Sequence, residues 1–108
     1  KTGAGTYRGP GQFEPNYARE RVLDLLAGEL GIDRAELRRR NLITRKQMPY
    51  ELGVPDVQSR KPTVVSDGDY PATFEALMDH LDFEAMKAEA ERRRAEGEAV
   101  GIGVTAFI

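Results

Sequence analysis

Pro15-Asn-Tyr-Ala-Arg-Glu-Arg-Val-Leu-Asp-Leu-Leu-Ala-Gly-Glu-Leu30, followed by Gly31, is the stretch on which the fold turns. Its apolar residues Ala18, Val22, Leu25, Leu26 and Leu30 recur at three- and four-residue spacing, the period of one helix face. Pro15 suits a first turn, because its φ is already helical and an N–H there would have no partner in the helix. Gly31 ends the helix, since glycine enters left-handed backbone without a Cβ penalty. A long helix is therefore expected, and the remaining segments are read outward from it.

On its C-terminal side, Asp33-Arg-Ala-Glu36 has the spacing of a capping box. It predicts a short helix with Leu37 as its apolar residue and Arg38-Arg39-Arg40-Asn41 in the last turn, where cations favour the dipole. Residues 15–41 are thus helical. Residues 42–69 hold Pro49, Gly53, Pro55, Pro62 and Gly68, with Thr63-Val64-Val65 as the single candidate strand. A long irregular connection is expected there, functional or packed on a further partner. Asp69 then caps a helix carrying Pro71, Phe74, Leu77, Met78 and Leu81, and Asp82 caps another running from Phe83 to about Glu96, which Gly97 ends. Residues 70–97 are accordingly helical. Val100-Gly-Ile-Gly-Val-Thr-Ala-Phe-Ile108 is rich in β-branched residues and predicts a strand over 98–108, without the rest of its sheet. The fold class is α+β, predominantly helical, and 1–108 is read as a single segment of a larger domain.

On the N-terminal side, residues 1–14 form a glycine-rich loop carrying Gly3, Gly5, Gly9, Pro10 and Gly11. Tyr7-Arg8-Gly9-Pro10-Gly11-Gln12 sets a planar cation and a side-chain amide between glycines just before a helix N-terminus. Backbone N–H groups and the helix dipole favour anions at such a place. Residue chemistry leaves two readings open, a loop facing an anion or cofactor and a tight structural turn.

Composition narrows the classes. At 108 residues the chain makes one domain at most. Its net charge of -2 gives no general pull toward nucleic acid or an anionic membrane. With no cysteine it holds neither a disulfide nor a thiolate-bound cluster, which fits a cytoplasmic setting and sends any iron–sulfur chemistry elsewhere. The apolar runs are far too short to span a bilayer, and the first residues lack the core of a signal peptide. The start at Lys1 and the halt inside an apolar run are read as the marks of a piece of something longer.

Other motifs carry less. Gly101-x-Gly103-x-x-Ala106 has a dinucleotide-binding spacing, but its glycines lie within the expected strand and no helix follows. The Arg38–Arg40 run, with Arg45 and Lys46 nearby, reads as a solvated or ion-paired helix end, and Arg92-Arg93-Arg94 as a charged face near Glu89, Glu91 and Glu96. His80 is the single histidine, at a helix end, and no nucleophile elbow accompanies it. Asp67 and Asp69 show no sign of a divergent acid–base pair. No metal ligand set and no catalytic residue is assigned within the chain.

The order of motifs points further. Thr6-Tyr7-Arg8-Gly9-Pro10-Gly11, Arg19-Glu20-Arg21, Glu29-Leu30-Gly31-Ile32-Asp33 and Glu36-Leu37-Arg38-Arg39-Arg40-Asn41-Leu42-Ile43 follow one another, and Met48-Pro49-Tyr50, Ser66-Asp67-Gly68-Asp69-Tyr70 and Gly101-Ile-Gly103 continue in register. This succession resembles the molybdopterin-binding large subunit of the xanthine dehydrogenase, aldehyde oxidase and aerobic carbon monoxide dehydrogenase family. The resemblance implies that Arg8, Gly9, Gly11 and Gln12 face the molybdenum and its pterin, with the Arg8 main-chain amide as a contact. It also implies that Pro10 faces the substrate pocket, where xanthine dehydrogenases carry an aromatic that packs on a flat heterocycle. Proline has no such face, which argues against a purine substrate. Copper-containing members carry a cysteine directly after the arginine; Gly9 stands there in this chain. Gln12-Phe13-Glu14 departs from the arginine-proline-glutamate order usual in the family.

For the intact enzyme the resemblance implies oxidative hydroxylation of an aldehyde, heterocycle or similar small substrate at a molybdenum-molybdopterin centre, in a dinucleotide form. Electrons leave through iron–sulfur clusters and FAD on partner subunits or domains, and the base, a glutamate, lies outside this chain. The isolated 108 residues are then expected to be inactive and to retain no cofactor. Apolar faces that meet the remainder of the large subunit would be exposed, favouring a homodimer of the segment. The competing reading is a non-catalytic helical interaction or scaffolding module in which the glycine-rich loop is only a turn.

Overall fold

The computed structural model describes residues 3, 5, 7–56 and 59–106. Helix α1 spans Phe13–Leu30 and α2 spans Arg34–Asn41; strands β1, Tyr50–Pro55, and β2, Pro62–Val65, follow; then come α3, Tyr70–His80, and α4, Phe83–Ala95. The predominantly helical α+β class expected from the sequence is what forms. The chain divides into two compact units, one made of the residues up to Arg40 with those from Gly103 onward, the other of Asn41–Ile102.

In the first unit, α1 ends where Gly31 turns left-handed, at φ 64° and ψ 30°, and its N–H reaches the Ala27 and Gly28 carbonyls. Asp33 starts α2 by accepting from the Ala35 and Glu36 amides at 2.8 and 3.1 Å. The Glu36 carboxylate accepts from Arg39 and Arg40, each at 2.7 Å. At 100° per residue, Glu20, Leu23, Asp24 and Ala27 fall on one arc of α1, Ala18, Val22, Leu25 and Leu26 on the opposite one, and Leu30 beside Leu23 at the edge between them. The first arc is buried or half-buried; the apolar arc is exposed. The sequence-derived stripe is real, but it is not the face that this chain covers.

In the second unit, the stretch expected to be an irregular connection holds an antiparallel hairpin, with Tyr50 opposite Val65 and Pro55 opposite Pro62. An irregularity between Glu51 and Pro55 accommodates Gly53, whose φ is 69°. Ahead of it a short 3₁₀ turn, Arg45–Gln47, is fixed by the Thr44 N–H donating to Gln47 Oε1 at 2.8 Å. Helix α3 is capped by Asp69, which accepts from Ala72 at 3.0 Å, with Pro71 in its first turn. Phe74 and Met78 of α3 and Phe83 and Ala90 of α4 are the buried apolar side chains of these two contacting helices.

The strand expected over 98–108 does not form as a paired strand among the described residues, which run to Ala106; Phe107 and Ile108 lie outside them. A strand needs a ladder partner for its N–H and C=O groups, and the sheet found among the described residues contains β1 and β2. Arg94 Nε donates to the Val100 carbonyl at 2.8 Å, and Arg19 Nη2 to that of Ala106 at 3.2 Å. The apolar core is small. Among the described residues seven apolar side chains are buried, three of them alanines, whereas fourteen large apolar ones are exposed. That balance leaves much apolar surface for other structure to cover.

Candidate functional site

The sequence nominated Arg8, Gly9, Pro10, Gly11 and Gln12, and the structure sets Gly9 to Gln12 in one reverse turn at the N-terminus of α1, with Arg8 directly before it. The Gln12 N–H donates to the Gly9 carbonyl at 3.1 Å, closing a four-residue turn. Proline fixes a negative φ at the second position, and Gly11 takes φ 68° at the third. That combination marks a type II turn, in which the third residue must tolerate a positive φ. Pro10 and Gly11 are therefore both explained by the backbone. The tight-turn reading is realised in the structure, and an exposed turn of this kind is still free to face a ligand.

The two glycines behave differently. A Cβ at Gly9, where φ is 61°, would lie 3.3 Å from Gln12 Oε1 and 3.3 Å from the Phe13 ring, so those side chains occupy the space a larger residue would need. A Cβ at Gly11 would meet nothing within 4 Å. Gly11 is thus the open approach to the main chain. Arg8 is exposed, its guanidinium 5.5 Å from the centre of the Tyr7 ring. Thr6, part of the sequence motif, lies outside the described residues.

No side chain caps α1. Of its first amides, Gln12 is used by the turn, Asn16 donates to the Gln12 carbonyl at 3.1 Å, and Pro15 has no N–H. The Phe13 and Glu14 N–H groups are the first-turn donors that a helix leaves without intrahelical acceptors. An exposed cation, an open glycine and two such amides form a donor set suited to a phosphate-bearing group, which is the chemistry a pterin cofactor presents. Thus the residues present fit the group.

What holds the turn's supporting helix was not read from the sequence. Arg38, expected at a solvated or ion-paired helix end, is ion-paired and only 3% exposed. Its Nε and Nη2 each lie 2.9 Å from Glu20 Oε2, Nη2 donates to the Glu20 carbonyl at 3.3 Å, and Nη1 donates to the Arg34 carbonyl at 3.1 Å. Nη1 also lies 3.0 Å from Asp24 Oδ1, a charge contact in which that buried oxygen has no aligned donor. Arg39 and Arg40 behave as the sequence suggests, both pairing with Glu36. The hydrogen bond from Arg40, then that from Arg39, holds the Glu36 carboxyl below the usual glutamate range. One signal was available for Arg38: Glu20 and Asp24, four apart on α1, present two carboxylates on one face.

The remaining candidates are structural where described. Arg92 pairs with Glu89 and Glu96, and Arg93 with Glu98, on exposed surface. His80 is an exposed residue in the last turn of α3. After Gly103 the described chain is irregular, so the glycine spacing at 101–106 lacks the helix a dinucleotide site requires. Among the described residues no group of three or more histidine, cysteine, aspartate or glutamate side chains is placed to hold a metal ion, and no helix is long and apolar enough to cross a membrane.

Residues 1–42, which contain the turn, α1 and α2, match the family described as molybdopterin cofactor-binding domain. Over 104 residues, 96% of its length, the chain is 38% identical to the 6-hydroxypseudooxynicotine dehydrogenase complex subunit gamma of Paenarthrobacter nicotinovorans. Residues 1–42 of the chain belong to the molybdopterin cofactor-binding domain family. The chain is also 33% identical over 97 residues, 87% of its length, to the carbon monoxide dehydrogenase large chain of Hydrogenophaga pseudoflava. It is 27% identical over 104 residues, 96% of its length, to the nicotine 6-hydroxylase large subunit of Paenarthrobacter nicotinovorans. It spans 13%, 11% and 12% of those three proteins, a small part of each.

Proposed function

We propose that the intact protein is the large subunit of a molybdenum-dependent hydroxylase or dehydrogenase, and that this segment gives one wall of its molybdopterin site. The observation that carries the reading is the exposed type II turn at Gly9–Gln12, lying within the residues that match the family and directly ahead of an uncapped helix. In this reading Arg8, Gly9, Gly11 and Gln12 hold the cofactor. The guanidinium offers fixed-plane hydrogen bonds, Gly11 admits the ligand to the main chain, and the Gln12 amide orients against it. When bound, the molybdenum cofactor supplies two-electron oxidation of the substrate carbon.

Pro10, at the apex of the turn, faces the substrate. It shapes the pocket by contact without offering an aromatic surface. Gly9 and the absence of cysteine stand against a thiolate-held copper beside the molybdenum. The substrate class is an aldehyde, a heterocycle or a similar small molecule. The names of the relatives, which include nicotine 6-hydroxylase and 6-hydroxypseudooxynicotine dehydrogenase, favour a nitrogen-bearing one. The pterin is in a dinucleotide form, the partners are the rest of the large subunit and iron–sulfur and FAD subunits, and the setting is cytoplasmic. No catalytic base is assigned within the chain.

Metal and pterin analysis of the intact protein, purified from a host that makes the cofactor, tests the reading. Stoichiometric molybdenum and pterin in the intact subunit, with neither in the isolated 108 residues, is the expected result. An intact subunit without molybdenum overturns it, and tight retention by the isolated chain shows the site to be misplaced.

A further inference from the structure

The end of α1 that carries the turn, Phe13 to Arg19, is exposed except for half-buried Asn16. The helix is covered further along, at half-buried Glu20, Leu23 and Asp24 and at fully buried Ala27. The turn is therefore the outer end of a lever whose fixed point is the contact with α2. Glu20 and Asp24 stand eight and twelve residues beyond Gln12, about 12 and 18 Å along the axis. Arg38 makes that contact directional. Nε and Nη2, one edge of its guanidinium plane, both lie 2.9 Å from the Glu20 carboxylate, and Nη1 lies 3.0 Å from Asp24, one helical turn further on. The same Nη1 donates to the Arg34 carbonyl at 3.1 Å, which ties the plane to the backbone of α2. Ala27, Ala35 and Leu37, the buried apolar side chains of the two helices, add burial without direction.

We propose that Arg38 is a positioning residue for the cofactor turn: its guanidinium plane, with two attachment points on α1 and one on α2, sets the rotation and tilt at which α1 presents Gly9–Gln12. The proposal rests on the reading of that turn as a cofactor contact. A rotation of α1 by about 10° would carry an atom roughly 6 Å from its axis through about 1 Å. A displacement of that size at a reacting centre costs about a hundred-fold. The role needs the plane and not the charge alone. A lysine ammonium in the same place is a point charge that cannot hold both carboxylates and a carbonyl in fixed directions. Apolar replacements of the whole cluster restore packing, but their contacts let the helices slide.

The test separates position from stability in the intact subunit, purified from a host that makes the cofactor. Thermal midpoint, molybdenum content by elemental analysis and the rate of pterin release, followed by fluorescence of the filtrate, are measured on two variants. One is the triple change Arg38→Met, Glu20→Leu, Asp24→Leu; the other is Arg38→Lys. Release is compared at the same number of degrees below each midpoint, so that lost stability alone moves nothing. The triple variant should keep a midpoint within a few degrees of the unaltered subunit, yet both variants should hold less molybdenum and release pterin about ten-fold faster. A triple variant that matches the unaltered subunit in molybdenum content and release rate overturns the proposal and leaves Arg38 a strut between helices. Should the triple variant fail to fold, Arg38→Lys decides alone: faster release supports the proposal and unchanged release overturns it. An unaltered subunit without molybdenum defeats the functional reading and this inference with it, whereas a loaded subunit indifferent to the variants defeats this inference only.

Discussion

Replacing Arg38 with alanine should be the most damaging single change in the first unit. The guanidinium is 3% exposed, and its loss leaves Glu20 and Asp24, whose side chains are only 13% and 16% exposed, with the exposed Arg19 and Arg34, at 3.2 and 3.6 Å, as their remaining cations. Breaking a buried ion pair by removing one partner costs about 3–5 kcal/mol, because the stranded charge keeps its desolvation penalty. Water reaching the two partly exposed carboxylates places this case near the lower end, about 3 kcal/mol. For a chain of this size a urea slope of roughly 1.5 kcal/mol per molar converts that into a midpoint shift of about 2 M. Equilibrium urea unfolding followed by far-UV circular dichroism reads it, since α1 and α2 carry much of the helix signal. A shift under about 0.5 M would refute the reasoning, showing that solvent satisfies the carboxylates once the arginine is gone. The triple change Arg38→Met, Glu20→Leu, Asp24→Leu should recover most of the loss, separating stranded charge from lost volume.

Three further outcomes are expected. Gly9→Ala combines a positive φ with a Cβ pressed against Gln12 and Phe13, so the intact subunit should bind less molybdenum while its unfolding midpoint moves little; unchanged metal content by elemental analysis would remove Gly9 from the site. Asp69→Ala deletes the cap that accepts from the Ala72 amide and should cost about 1 kcal/mol, read as a lower urea midpoint, with Asp69→Ser recovering most of it. Glu36 and Glu89 both titrate below the usual glutamate range, through hydrogen bonds from Arg40 and Arg39 and from Arg92. A depressed folded-state pKa gives stability that is present above the unfolded value and lost as pH falls through the folded one. The thermal midpoint should therefore decline as the pH drops below roughly 4.3. Glu36→Gln and Glu89→Gln together should flatten that decline, and an unchanged slope would exclude these pairs as its source.

The parts of the fold that could be read in advance are those governed by local chemistry. Gly31, Asp33, Asp69 and Asp82 each act on backbone groups within a few residues, so their roles follow from spacing alone. The hairpin escaped because its strand β1 is exposed at every position and so has no inside–outside alternation to read. Its register rests on backbone pairing, and Gly53, Pro55 and Pro62 look like breakers until they are seen at a bulge and at the strand ends. The expected final strand shows the opposite failure. Residues around Val104 have the composition of a strand, but composition cannot supply a ladder partner. At the candidate site the type II turn was foreshadowed by Pro10-Gly11, whereas the Phe13 ring beside Gly9 had no sequence signal. Arg38 shows the limit most clearly, because three adjacent arginines look alike in sequence and only the position of Glu20 and Asp24 separates one of them from its neighbours.

The type II turn also sets which positions at the site are open to evolutionary change. Its second position accepts most L-residues at the backbone angles Pro10 adopts, so position 10 can become aliphatic, polar or aromatic by point mutation at a cost of only about 0.4–1 kcal/mol in lost rigidity. Its third position, at φ 68°, is closed to nearly everything but glycine and asparagine. A lineage carrying this turn can therefore exchange the residue at its apex repeatedly while the backbone beneath it keeps its path. Under the proposed function, chemical selectivity and cofactor geometry then vary independently, although Pro10 and Gly11 are joined by a single peptide bond.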